Sequence, residues 1–452
     1  MSPIYKEVPI PKRYPVVGHL PKIWRQGMLG MLQGMWERHG DLVELRLGPQ
    51  RAYLAIDPKY LKHILLDNRD NYIKGDAYDP FRLLVGNGLV TSNGDLWRRQ
   101  RRLVQPSFQK DSMKVFVEKM VETSVEVLER WGEDRSSLQR VDMAQEMMQL
   151  TMRVIGKTMF GVDLDDETDR SSKAFKDVMS YVIKQGNVPF RLPLWIPIPS
   201  NIRLRKALNT LDSIVYGIIN ARKADPGEHS DFLSMCLNAT DKETGEGMSD
   251  EQVRDEVVTM FLAGHETTSN ALTWTWYLLS QHPEVEARLH AELDEVLGGR
   301  LPTFEDLRRL PYTMMVLQES MRLYPPVWLL ARNVANDDEI NGFPIKAGSI
   351  MMFSSFLTHR HPEYWENPEQ FDPERFRPEA IKARDNFAYL PFSLGPRLCM
   401  GKHFALYEGM LVLATLGQRY RCLMDPYQKH VEMLPETMLQ PRDGLPMCLI
   451  RR

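Results

Sequence analysis

An unbroken helical periodicity runs from Ser249 to Gln281, and any fold for this chain has to be arranged around it. Ser249 followed by Gln252 makes a capping box, and Asp250 and Glu251 suit the positive end of the helix dipole. His282 and Pro283 stop the helix, because a residue before proline is pushed out of the α region. At about 1.5 Å per residue such a helix crosses most of a domain. Its centre, Met260-Phe261-Leu262-Ala263-Gly264-His265-Glu266-Thr267-Thr268, is odd for a buried helix. Gly264 lowers helix stability by roughly 1 kcal/mol relative to alanine. Glu266 and Thr267 put a carboxyl and a hydroxyl where their neighbours imply a core. Two readings stand. In one, the glycine is tolerated, the threonine bonds back to the helix and the glutamate faces water. In the other, the helix is locally widened, and its loosened carbonyls with Glu266 and Thr267 hold water or a small ligand.

The rest of the chain is consistent with a large helical protein. Of 452 residues, 43% are hydrophobic and 26% charged, the balance of a soluble globular protein with a substantial core. A formal net charge of -3 gives no footprint for nucleic acid. Cys236, Cys399, Cys422 and Cys448 lie too far apart for a zinc or redox motif, and are too few for a disulfide framework, which points to a reducing interior. Met1 to Leu20 holds no apolar run that would span a bilayer, so a soluble, cytoplasmic protein without a transmembrane anchor is expected.

Residues Pro9 to Pro21 read as extended, followed by a helix near Met28–His39 and short strands at Leu42–Leu47 and Ala52–Ile56. Helical patterns dominate from Lys59 to about Asn220, broken by a loop around Phe81–Asn93 and by the prolines of Val188–Ser200. Loops and short strands return after Leu323, then a helix over Lys402–Gln418. No linker divides the chain, so the expected fold is mainly α with minor β. It is read as one large domain with a β-rich lobe at approximately 1–65 and 325–390 and a helical remainder.

The segment Phe392-Ser393-Leu394-Gly395-Pro396-Arg397-Leu398-Cys399-Met400-Gly401 leads into that last helix. Gly395 and Gly401 permit tight turns and close approach to a flat ligand. A helix N-terminus and Arg397 near Cys399 favour thiolate over thiol, and a thiolate is the axial donor a haem iron needs to cleave an O–O bond.

Here the chain resembles the cytochrome P-450 family over nearly its whole length. The pattern F-x-x-G-x-R-x-C-x-G falls at Phe392, Gly395, Arg397, Cys399 and Gly401, and A-G-x-[DE]-T-[TS] at Ala263 to Thr268. Glu319 and Arg322 match E-x-x-R, Phe371 to Phe376 match the meander signature, and Trp97 to Arg101 match W-x-x-x-R. The resemblance implies the P-450 fold, with its long central helix over haem b (iron protoporphyrin IX) and Cys399 as the iron's ligand. It implies reductive activation of dioxygen, with Glu266 relaying protons and Thr267 holding the water network, and hydroxylation or epoxidation of a hydrophobic substrate. The haem contacts implied are Trp97, Arg101, Ala263, Gly264, Arg332, Phe392, Gly395, Arg397, Cys399 and Gly401. Glu319, Arg322 and Arg375 are expected to form a buried network behind the cysteine loop.

By family position, the substrate wall comes from Tyr78–Val90 (Phe81, Leu84), the region Met179–Trp195, Phe261 and Ala263, and Val327, Trp328 and Leu329. The proline-broken stretch Phe190–Ile198 is read as an entrance loop. The first expectation for substrate is a long-chain fatty acid, then terpenoids, macrolides or steroid-like molecules. No flavin or iron–sulfur segment follows Arg452, so electrons are expected from a ferredoxin or flavodoxin with its reductase, docking on Arg98, Arg99, Arg102, Lys110 and Lys402 of a monomer. Rival readings are a hydrogen-peroxide-dependent peroxygenase and a non-enzymatic haem sensor or carrier.

Overall fold

Strict alternation in Leu42–Leu47 and Gln50–Ala55 sorts their side chains onto two faces, and both faces are covered. Val43, Leu45, Ala52 and Leu54 enter one apolar cluster with Met31, Leu32 and Met35 of the helix Leu20–His39. Leu42, Tyr53 and Ala55 enter a second cluster with Leu61, Ile64, Met351 and Phe353. A sheet buried on both sides has no room for an unpaired charge, and Glu44 is held by Arg46 at 3.0 Å and Arg51 at 3.4 Å.

This is a computed structural model, and it describes residues 6–133, 139–163, 174, 177–178, 181, 193–225, 227, 229–428 and 430–452. They group into two compact units. The first runs to Ala77 and adds Gln318–Cys399 and Met433–Gln440. It carries a five-stranded sheet in the order Leu42–Leu47, Gln50–Ala55, Ile350–Phe353, Leu330–Val334, Tyr72–Ile73. Only the Gln50–Ala55 and Ile350–Phe353 pair is parallel, as their long separation in sequence allows.

The second unit comprises Tyr78–Leu317, Met400–Glu432 and Pro441–Arg452. Its spine is the helix Asp250–Gln281, closed at its start by the reciprocal Ser249–Gln252 capping box and ended at His282, before Pro283. Around it lie helices Lys110–Glu133, Met143–Ile155, Pro199–Ala224, Pro283–Leu297 and Lys402–Gly417, with a small antiparallel sheet of Gln139–Asp142, Pro446–Arg451 and Tyr420–Met424. The fold is mainly α with minor β, as the sequence implied. Among the described residues no helix is long and apolar enough to cross a membrane.

Two expectations fail locally, and in one of them the loop expected around Phe81–Asn93 starts as the helix Asp79–Val85. The extended reading through Pro21 is wrong, since the helix begins at Leu20 with Pro21 in its first turn, where a missing N–H does no harm. The helix then breaks at Gly27 (φ 73°), so the piece anticipated near Met28 is its second half.

Candidate functional site

In the first unit, the cysteine loop is shaped by its own backbone. Ser393 N–H donates to Leu390 O (3.1 Å), Leu398 N–H to Gly395 O (3.0 Å) and Cys399 N–H to Phe392 O (2.9 Å). These bonds close the turn from Phe392 to Cys399 and leave the Cys399 thiol exposed, whereas Cys236, Cys422 and Cys448 are buried. Gly395 sits at φ +69°, and a Cβ there would lie 2.1 Å from the Leu65 carbonyl oxygen, so no other residue fits. Ser393 also adopts a left-handed φ of 58°, a conformation uncommon outside glycine that concentrates at functional turns.

Behind this loop lies the expected charged network. Arg322 grips Glu319 with two bonds, Nε to Oε2 at 2.7 Å and Nη2 to Oε1 at 2.8 Å, and both residues are fully buried. Its remaining donors reach the carbonyls of His359 (3.0 Å), Pro368 (2.6 Å) and Gln370 (2.9 Å). Glu319 Oε1 also accepts from Asp372 N–H (2.9 Å) and pairs with Arg375 at 3.4 Å. The sequence reading missed His359, which links this network to the loop. Leu390 N–H donates to His359 Nε2 (2.9 Å), so the ring proton is on Nδ1 and donates to Arg322 O (3.2 Å). Burial, with Arg322 nearby, holds His359 well below the usual histidine range and keeps it neutral. Its only sequence signal was a histidine two residues before the His361–Pro362 pair.

Arg332 is buried on the strand Leu330–Val334, its guanidinium 5.7 Å from the Phe353 ring centre. Trp328 is a correction to the expected substrate wall. It is 3% exposed in the first unit's core, and its indole N–H donates to Glu436 O (2.8 Å), so it is held as a core residue with little surface for a ligand. Val327 and Leu329 are half-buried and retain some surface.

In the second unit, the long helix is buried along most of its length, but Ala263 at its centre is exposed, and Phe261, Gly264, Glu266 and Thr267 are half-buried. The widened-helix reading is not met: the segment is regular α-helix, and Thr267 Oγ donates back to Ala263 O at 2.7 Å. Gly264 has a packing reason, since an added Cβ would lie 2.4 Å from Ile155 Cδ1. Burial lowers His265 to about 4, and Nδ1 lies 2.6 Å from the Phe261 carbonyl. On the helix Lys402–Gly417, whose N-cap is Gly401, the wholly buried Glu408 faces Thr268, and burial pushes its carboxyl well above the ordinary range.

On the helix Gly94–Val104, the Arg101 guanidinium lies 5.6 Å from the Trp97 ring centre, as residues four apart on one helix face allow. Three arginines of the basic docking face expected beside them pair within the chain. Arg99 donates to Gly247 O (2.7 Å), Arg102 pairs with Asp241 (3.0 Å) and Glu243 (2.8 Å), and Arg98 pairs with Asp95 (2.5 Å). Leu84 is a second correction to the wall, at 0% exposure, while Phe81 is half-buried with its ring 6.4 Å from Tyr78. Of the Met179–Trp195 region and the Phe190–Ile198 stretch, residues 179–180 and 182–192 lie outside the described residues, and Trp195 is 76% exposed.

These residues fit a haem. An exposed sulfur on a backbone-closed loop is the donor type that haem iron accepts. The family model described as Cytochrome P450 matches residues 8–449. The chain is similar to cyclooctat-9-en-7-ol 5-monooxygenase of Streptomyces melanosporofaciens, 38% identical over 91% of this chain and 88% of that protein. It is similar to pentalenene oxygenase of Streptomyces avermitilis, 33% identical over 96% and 95%. Among solved structures it is similar to the cytochrome P450DA heme domain, with a TM-score of 0.90, 29% identity and 99% of each chain covered.

Proposed function

We infer that this chain, which belongs to the cytochrome P450 family and so uses a haem-thiolate iron, is a monooxygenase acting on a cyclic terpenoid. The observation that carries the reading is the exposed Cys399 thiol on its closed loop, within a chain the family model matches over residues 8–449. Cys399 would bind the haem iron, and Trp97, Arg101, Arg332 and Arg397 would hold the haem carboxylates. When bound, haem supplies the reductive activation of dioxygen and the transfer of one oxygen atom to substrate.

The chain's own residues supply position and protons. The bond from Cys399 N–H to Phe392 O fixes the sulfur. The exposed helix surface at Ala263, with the half-buried Phe261 on the same helix, would let substrate and oxygen approach an apolar wall. Thr267 carries a hydroxyl beside the half-buried Glu266 carboxyl, and turning it from Ala263 O toward the site would let it order water there. Thr267→Ala is expected to keep haem and substrate affinity while electrons drain to peroxide, with coupling of reductant use to product falling about tenfold or more, below the roughly hundredfold that one positioned proton-transfer group contributes at the least. Reductant consumption measured against product in one assay decides it, and unchanged coupling would remove Thr267 from this role.

The relatives named for cyclooctat-9-en-7-ol and pentalenene favour a terpenoid over the fatty acid first expected. Electrons would come from a separate ferredoxin or flavodoxin with its reductase, to a cytoplasmic monomer. Titration of the ferric protein with cyclic terpene hydrocarbons and alcohols is expected to shift the haem from low to high spin, and long-chain fatty acids to leave it low-spin. The reverse pattern would overturn the substrate class and leave the haem-thiolate reading standing.

A further inference from the structure

Three consecutive residues of the long helix, Arg254, Asp255 and Glu256, are charged yet 8%, 5% and 0% exposed. Each holds a backbone atom of one segment, the end of the helix Asp79–Val85 and the loop after it. Arg254 Nη1 donates to Leu84 O at 2.8 Å. Asp255 Oδ2 accepts from Asn87 N–H at 2.8 Å, and Glu256 Oε2 from Leu89 N–H at 3.1 Å. Arg254 is itself fixed by Asp212 (2.8 and 2.5 Å) and by Asp255 (3.0 Å). The loop lies directly on the helix, for a Cβ on Gly88 would be 2.1 Å from Thr259 Oγ1. From the other side Gln100 donates to Asn87 O (2.7 Å), tying the same loop to the helix that bears Trp97 and Arg101.

We propose that Asp255 and Glu256 are positioning residues that set the shape of the substrate site, by clamping the segment from Leu84 to Ser92, the end of the helix Asp79–Val85 and the loop after it, through its main chain. This rests on the reading above that Tyr78–Val90 walls that site. A clamp that reads only main-chain atoms fixes the path of the loop whatever side chains it displays. Glu256 Oε1, Thr259 Oγ1 and Ser92 Oγ are buried without a hydrogen-bond partner, so the contact is polar on both sides and is not an apolar packing surface. Burial pushes the Glu256 carboxyl up to about 8 against the opposing Leu89 N–H, and a neutral acid still accepts that bond through its carbonyl oxygen.

The test uses the haem-loaded protein and two iron-binding probes, imidazole, which needs little beyond the iron, and 4-phenylimidazole, whose ring needs the surrounding wall. Soret titration is expected to show Glu256→Leu weakening 4-phenylimidazole about tenfold and imidazole less than about twofold, the scale set by one lost buried hydrogen bond. Hydrogen exchange should quicken over residues 86–92 in that variant, and Glu256→Gln, which keeps an acceptor, should restore both readouts. Should Glu256→Leu fail to fold, Asp255→Asn decides, with an expected split in the same sense of about threefold from a weakened rather than deleted bond. Equal weakening of both probes, or no weakening of either, in a folded variant overturns the proposal. A ferrous carbonyl spectrum of imidazole type in the unsubstituted protein would instead overturn the haem-thiolate reading, so the two failures are told apart.

Discussion

Replacing Cys399 by alanine is expected to abolish the thiolate signature of the ferrous carbonyl complex and all oxygen insertion, the largest effect any one substitution should have. A thiolate pushes electron density toward the iron in a way that neither water nor imidazole does. The other three cysteines cannot substitute, because burial pushes the Cys236 and Cys422 thiols up and Cys448 is enclosed in a sheet. Cys399→His is the sharper control, since it offers a ligand of another kind and should give an imidazole-type spectrum. The loop geometry should survive in both variants, as the bonds that close it involve backbone atoms and the side chain is exposed. Carbonyl difference spectra of reduced protein, with haem content measured in parallel, decide the matter. A retained thiolate band in Cys399→Ala would require another sulfur ligand and would sink the assignment.

Arg322→Leu is expected to cost about 3–5 kcal/mol of stability, because it leaves the Glu319 charge buried without its main partner. It also strips three backbone carbonyls of a donor at once. Arg322→Lys should recover only part of this, since an ammonium cannot reproduce the two-pronged grip on Glu319. The damage should reach the cysteine loop, since His359 takes its orientation from Arg322 O and in turn receives Leu390 N–H. Haem retention on gel filtration should therefore fall alongside the denaturation midpoint. If Arg322→Leu unfolded at the native midpoint with full haem content, the network would be incidental.

Much of this was legible in the sequence where the signals were local. Ser249 with Gln252, and His282 with Pro283, bounded the long helix because caps and stops act within one turn. The cysteine loop was legible for a similar reason, as its turns close over eight residues. What escaped depends on partners far along the chain. Nothing near His359 tells that its ring will lie between Arg322 and Leu390. Trp328 and Leu84 looked like wall residues because apolar side chains in a core and in a ligand site are the same residue types. Nothing near Arg99 and Arg102 signals their acidic partners, because Asp241 and Glu243 lie more than a hundred residues later. The charged trio from Arg254 to Glu256 was visible as text, but without the loop there was no reason to bury it.

The contact between Gly395 and residue 65 makes tolerance to change one-sided. What abuts the glycine is the carbonyl of Leu65, in a π-helical turn spanning His63–Asp67. No side chain chosen for position 65 can make space, because every amino acid brings the same oxygen. Drift in this region can therefore rewrite the side chains of that turn, yet it cannot lengthen or shorten the turn without moving the sulfur that the whole site is organised around.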